Sequence, residues 1–139
     1  MSLNGYTNNM YILTLRTDRP DAEIGLYDDN RQFSYETWAA HRQLAETIHL
    51  KIKTVLAAQQ LELHQLGGII IYKGPGSFTG LRIGISVANA LADSLPAKIV
   101  GTTEDDWIDR GLTQLSNGQS DKLVLPEYGA LPNITSPRK

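Results

Sequence analysis

The sequence predicts an α/β domain on one mixed five-stranded sheet, with elements in the order β-β-β-α-β-α-β and a short C-terminal helix and tail. Three observations carry the prediction. Three short apolar segments separated by turn signals precede residue 40. A helical apolar period runs from Leu44 to Leu56. A glycine-rich stretch, Lys73-Gly74-Pro75-Gly76-Ser77-Phe78-Thr79-Gly80-Leu81-Arg82-Ile83-Gly84, lies between an apolar run and a second helical pattern.

Each element has its own justification. Met1–Asn9 is polar, lacks a basic-then-apolar signal pattern and reads as a flexible arm. Tyr11–Leu15 is the first strand, and Pro20 with two aspartates turns the chain after it. Ala22–Tyr27 is the second strand. Asp28-Asp29-Asn30 is a turn signal, and Arg31–Thr37 alternates as a third strand, completing an antiparallel meander. Leu44, Ile48, Ile52 and Val55-Leu56 recur at helical spacing, predicting a helix from about His41 to Gln60. Gly67–Lys73 is apolar on both faces, as a central strand is. A helix from Leu81 to Leu95 and a strand over Ala97–Gly101 follow, and right-handed crossovers set the last two strands parallel to the first. Thr103-Glu104-Asp105-Asp106 offers a hydroxyl cap and acids for a last helix carrying Trp107, Ile108, Leu112 and Leu115. Ser116–Asp121 is a polar linker, and Leu123–Lys139, with three prolines, allows at most a short strand and a tail. The expected organisation is an arm over 1–9, one domain over 10–102, and a helix and tail over 103–139.

Composition narrows the function classes. At 139 residues, 41% hydrophobic and 20% charged, the chain can bury a core without staples. A net charge of −2 supplies no electrostatic footprint for nucleic acid, so any RNA link is expected to be indirect. The absence of cysteine removes disulfides and thiolate metal sites. No apolar run approaches the ~20 residues that span a bilayer. These features fit a cytoplasmic protein with no membrane contact.

The glycine-rich loop is the most informative stretch. It joins a buried strand to a helix, and so places free backbone N–H groups and the positive end of the helix dipole at one point. It is not a Walker A loop, because Gly80 is followed by Leu81-Arg82 and Lys73 lies on the wrong side. Glycines at 74, 76, 80 and 84 do not fit the dinucleotide fingerprint either. Two readings remain, an anion site or a tight turn with close backbone contact, and backbone physics favours the turn. Ser77 and Thr79 have no base nearby in sequence, and helix capping is the simpler role for their hydroxyls. His41, His49 and His64 show no metal-ligand spacing, which removes a metallopeptidase and leaves no expected metal or cofactor.

Residues 73–84, set between strand and helix, resemble the signature of the bacterial TsaB (YeaZ-like) family. The resemblance implies a ribonuclease H-like fold, the half-domain of actin-like ATPases. It also implies a non-catalytic subunit in the making of threonylcarbamoyladenosine beside the tRNA anticodon. The partners it implies are a catalytic TsaD-like subunit and a TsaE-like ATPase. This chain departs from the family pattern in three places. Its first strand ends in Arg16-Thr17-Asp18, where family members carry Asp-Thr-Ser, and a cation there would repel magnesium. The family's His-Ser start to the first helix is His41-Arg42. About 38 residues remain after Gly101, where a second half normally follows, and Leu125-Pro126-Glu127-Tyr128 resembles the family's terminal Pro-x-Tyr segment. On this resemblance the second domain is reduced to one helix and a returning tail.

The second helix carries two stripes. Gly80, Gly84, Ala88 and Ala92 form a small one, and Ile83, Val87 and Leu91 an apolar one. One stripe can pack on the sheet while the other meets a partner. The sequence reading assigns the partner surface to Leu44, Ile48, Ile52, Gly84 and Ala88, facing a TsaD-like subunit in the cell and a second copy in the pure protein. The rival readings are a stand-alone phosphate- or nucleotide-binding protein using Gly74–Gly80, and a homodimeric binding module.

Overall fold

A computed structural model of the chain describes residues 10–128. The arm expected over 1–9 and the tail beyond 128 lie outside the described residues. Five strands form one sheet: β1 (Tyr11–Arg16), β2 (Asp21–Asp28), β3 (Arg31–Ala39), β4 (Leu66–Tyr72) and β5 (Lys98–Thr102). Three helices accompany them: α1 (Leu44–Ala58), α2 (Phe78–Ser94) and α3 (Trp107–Ser116). The spatial order is β3-β2-β1-β4-β5, antiparallel over the meander and parallel from β1 to β4 to β5. Element order and strand directions are those expected from the sequence.

The strand period of two explains the layering. Leu13, Leu15, Ile24, Leu26, Ile69, Ile71 and Ile99 share the face that carries α1 and α2, and none exceeds 1% exposure. Each such burial contributes about 1.5–3 kcal/mol, which makes this interlayer the main hydrophobic core. Trp38 and Glu36 of β3 close it at one side, through Trp38 Nε1 donating to Thr47 Oγ1 at 3.0 Å and Lys51 pairing with Glu36 at 2.7 Å. The opposite face carries Ile70, Tyr72, Val100 and Thr102 under α3. Trp107 meets Tyr72 edge-on at 5.9 Å, and Thr102 Oγ1 donates to the Trp107 carbonyl at 2.7 Å.

Element ends differ from the sequence expectation. The helix expected from His41 opens as a single 3-10 turn, His41–Gln43, before α1. His41 itself has φ 46°, outside helical space, which breaks the run. The last helix begins at Trp107 rather than beside Thr103, because Glu104 has φ 77°. After α3 the chain returns along β5. Ser120 Oγ accepts from the Ile99 N–H at 3.2 Å, Asp121 Oδ2 accepts from the Gly101 N–H at 2.8 Å, and the Asp121 N–H donates to the Ile99 carbonyl at 2.7 Å. Side chains thereby occupy the outer edge of β5.

Candidate functional site

The glycine loop leaves β4 through Lys73, whose N–H donates to the Thr102 carbonyl at 2.9 Å. Its glycines have identifiable neighbours. A side chain on Gly76 would run into Asp18, one on Gly80 into the Thr17 carbonyl, and one on Gly84 into Thr17 Oγ1. Gly74, with φ 123°, faces the Glu127 carbonyl. Three of these contacts are with the β1–β2 connection. The Ser77 N–H donates to the Asp18 carbonyl at 3.2 Å, and Thr17 Oγ1 donates to the Gly80 carbonyl at 2.7 Å. The glycines therefore let α2 settle on residues 17–18. This is the close-contact reading. The expected capping is not made: the Ser77 side chain makes no cap hydrogen bond to α2, and Thr17 reaches its first turn instead.

The end of β1 carries a partly buried ion pair. Arg16 Nε donates to Asp18 Oδ1 at 2.7 Å and Nη2 to Oδ2 at 3.3 Å, with side-chain exposures of 14% and 5%. The guanidinium lies 3.8 Å from the Tyr72 ring centroid, and the Tyr72 hydroxyl donates to the Pro75 carbonyl at 2.7 Å. Burial pulls the Arg16 pKa down, but the hydrogen bond and charge of Asp18 outweigh it, so the pKa is raised and the cation is fixed. The Asp18 carboxylate is held by an arginine, in an arrangement that also anchors the loop through Tyr72. Among the described residues no group of three or more His, Asp or Glu is placed to hold a metal ion. His41, His49 and His64 are all exposed.

The five residues assigned to a partner surface lie inside the chain. Ile48 and Ala88 are 0% exposed, Ile52 2%, Leu44 5%, and Gly84 is buried. On α1 the three residues are its apolar stripe, and on α2 the physical reason is the close approach of the helix to Thr17. Only a small-residue stripe allows it, so the small stripe turns to the sheet and the apolar stripe turns outward. Ile83, Val87 and Leu91 are half-buried. Ile83 and Val87 line a groove of about 430 Å³ between the helices, with Ala45 and His49 of α1 and Phe78 and Arg82 of α2. Phe78 is 54% exposed, stacked on Tyr128 at 4.6 Å, with the Arg82 guanidinium 5.2 Å from its ring centroid. Leu50, 69% exposed, adds to the apolar surface of α1. The outward groove, rather than the buried seam, is the surface these helices offer. A second groove of about 470 Å³ lies where Arg19, His41 and Arg42 face Ser77 and Thr79, but the Asp18 carboxylate also lines it.

An open mixed sheet of this order, with two parallel strands added to an antiparallel meander, defines a ribonuclease H-like half-domain. RuvC from T. thermophilus, solved with a Holliday junction substrate, shares that fold at a TM-score of 0.52 and 10% identity, over 87% of this chain and 83% of its own. Residues 38–105 match the family described as TsaD, tRNA N6-adenosine threonylcarbamoyltransferase. The tRNA threonylcarbamoyladenosine biosynthesis protein TsaB of Escherichia coli K12 is 26% identical over 117 residues, 76% of this chain and 48% of that protein. The protein of the same name from Haemophilus influenzae is 40% identical over 90 residues, 60% of this chain and 35% of its own. Among solved structures, YeaZ from Pseudomonas aeruginosa superposes at a TM-score of 0.61 with 26% identity, covering 68% of this chain and 44% of its own. In sequence and in fold the chain is similar to TsaB/YeaZ proteins. It spans less than half the length of each of these relatives.

Proposed function

We propose that this chain is a non-catalytic partner subunit for threonylcarbamoyladenosine modification of tRNA, working in the cytoplasm and pairing with a TsaD-like catalytic subunit. The observation that carries the reading is the outward groove between α1 and α2, with Phe78 half exposed and Ile83 and Val87 along it. An apolar surface of this kind on a small domain is a characteristic place for another chain to sit. The likeness to TsaB proteins, whose names place them in this biosynthesis, supports the choice of partner. The Arg16–Asp18 pair supports the non-catalytic role: a cation stands at the end of β1, and the nearest carboxylate is already neutralised. A TsaE-like ATPase would join the assembly, and tRNA would be met through the partner, since the chain itself has a net charge of −2. No helix among the described residues is long and apolar enough to cross a membrane.

The same face can pair with a second copy, because two identical helix pairs meet face to face as a four-helix bundle. Affinity capture of the TsaD-like protein from the same organism tests the first pairing, and sedimentation of the pure chain tests the second. Binding by the wild type that is lost in Val87→Asp supports the reading. A monomer that ignores the TsaD-like subunit at high concentration refutes it. ATP or peptide turnover by the isolated chain would refute the non-catalytic role. A stand-alone phosphate site would have to use the second groove, where the Asp18 carboxylate disfavours an anion.

A further inference from the structure

We propose that Leu123–Tyr128 is a strap whose closure fixes the glycine loop and, through Phe78, sets the docking face of α2. The segment has no regular secondary structure, yet it is tied at three points. Asn89 of α2 grips it on both sides of one residue: Asn89 Nδ2 donates to the Val124 carbonyl and the Val124 N–H donates to Asn89 Oδ1, each at 2.9 Å. The Glu127 N–H donates to the Lys73 carbonyl at 2.7 Å, and the Lys73 ammonium lies 3.9 Å from the Glu127 carboxylate. Tyr128 stacks on Phe78 with 29° between the rings. Val124 is 3% exposed and fills the space over Gly101, while Leu123 and Leu125 on either side are 62% and 67% exposed.

Two features make the strap part of the loop rather than a loose end lying on it. Gly74 combines φ 123° with the Glu127 carbonyl where a side chain would be, so one loop glycine is required by the strap itself. Phe78 begins α2 and belongs to two surfaces at once: one side of its ring rests on Tyr128 and the residue lines the groove with Ile83 and Val87. Releasing the strap removes the donor from the Lys73 carbonyl, uncovers Phe78 and leaves the start of α2, where Ser77 makes no side-chain cap bond, held by Thr17 and Asp18 alone. The groove then loses its fixed aromatic end. The docking half of this inference rests on the proposed pairing with a TsaD-like subunit; the loop half does not.

The test uses the full chain as wild type, Tyr128→Ala and Asn89→Ala. Amide hydrogen exchange is read at Leu81–Gly84, the first hydrogen-bonded amides of α2, with Ile48–Ile52 inside α1 as the internal control. Affinity for the TsaD-like subunit is measured on the same proteins. Both variants are expected to exchange about 10-fold faster at Leu81–Gly84 with the control unchanged, and to bind the subunit about 10-fold more weakly, the scale of one lost contact. Unchanged exchange in both variants overturns the strap, as does a rise that is equal in the control. Faster loop exchange with unaltered binding overturns the link to docking. If the wild type does not bind the subunit while the exchange result holds, the proposed function fails and the strap stands.

Discussion

Replacing Gly84 by Ala should destabilise this protein, although alanine is the better helix former. The added methyl would fall on Thr17 Oγ1 and stand 2.9 Å from Thr17 Cγ2 and 3.0 Å from its Cβ. Thr17 is 2% exposed, and its hydroxyl is committed to the Gly80 carbonyl at 2.7 Å. Relief requires either that α2 lift from the β1–β2 connection or that Thr17 rotate and abandon that bond. Overpacking costs about 1–3 kcal/mol, and a buried Thr17 hydroxyl left without its acceptor about 1–3 kcal/mol. Helix propensity returns about 1 kcal/mol. The expected net loss is about 2 kcal/mol, or ~8 °C in Tm at ~4 °C per kcal/mol for a chain of this length. The decisive comparison is the same substitution in a Thr17→Ala background. There the two closest atoms are gone, the propensity gain is uncovered, and Gly84→Ala should be neutral or stabilising, a coupling of about 2 kcal/mol. Urea unfolding followed by Trp38 and Trp107 fluorescence measures all four proteins. An equal cost in both backgrounds, or none in the wild type, would refute the account of the small-residue stripe.

Three further outcomes are expected. Ala88→Arg places a cation at a site with 0% exposure and should cost at least about 3 kcal/mol, whereas Val87→Asp, half-buried on the groove, should cost about 1 kcal/mol and act on pairing; thermal melts and sedimentation separate them. Arg16→Met leaves the Asp18 carboxylate, 5% exposed, without its cation and should cost about 3 kcal/mol, with part recovered by adding Asp18→Asn; urea midpoints test both. Stability should fall at alkaline pH. Burial and then the hydrogen bond to Glu23 raise the Tyr35 pKa, and burial raises that of Tyr72, so the folded state keeps protons that the unfolded chain releases near pH ~10. That contribution is present below the unfolded value and is lost as pH rises through it towards the folded pKa values. Tyr35→Phe should flatten the decline in urea midpoint between about pH 8 and pH 11.

Most of the architecture was legible because it rests on short-range pattern. The short apolar segments Tyr11–Leu15 and Ala22–Tyr27, the alternation of Arg31–Thr37, the turn at Asp28-Asp29-Asn30 and the period of Leu44, Ile48 and Ile52 are all local signals, and each element formed. The glycine loop was legible as a place of close contact, but not the identity of what it contacts. Thr17 lies 63 residues from Gly80, and nothing near either residue announces the other. That gap reversed the reading of α2. Both stripes are present in the sequence, and which one meets the sheet is decided by the clearance left by Thr17. Asn89 was missed for a similar reason: its partner Val124 is 35 residues away, and a lone asparagine on a helix carries no distinguishing pattern. The Tyr128–Phe78 stack could have been suspected, since both residues lie in segments already singled out.

The treatment of the two sheet edges sets how copies of this chain can associate. Ser120 and Asp121 occupy the hydrogen-bonding groups on the outer side of β5. β3 forms the opposite edge, and its pairing with β2 shifts register between Leu26 and Tyr27. A sheet that grows into fibrils needs two adhesive sides, one to receive a strand and one to offer the next. Here one side is stoppered by the protein's own side chains. If two molecules meet along β3, both ends of the resulting ten-stranded sheet are β5, and growth terminates at that pair. The turn after α3 therefore acts as a chain terminator for aggregation, independent of anything the helices bind.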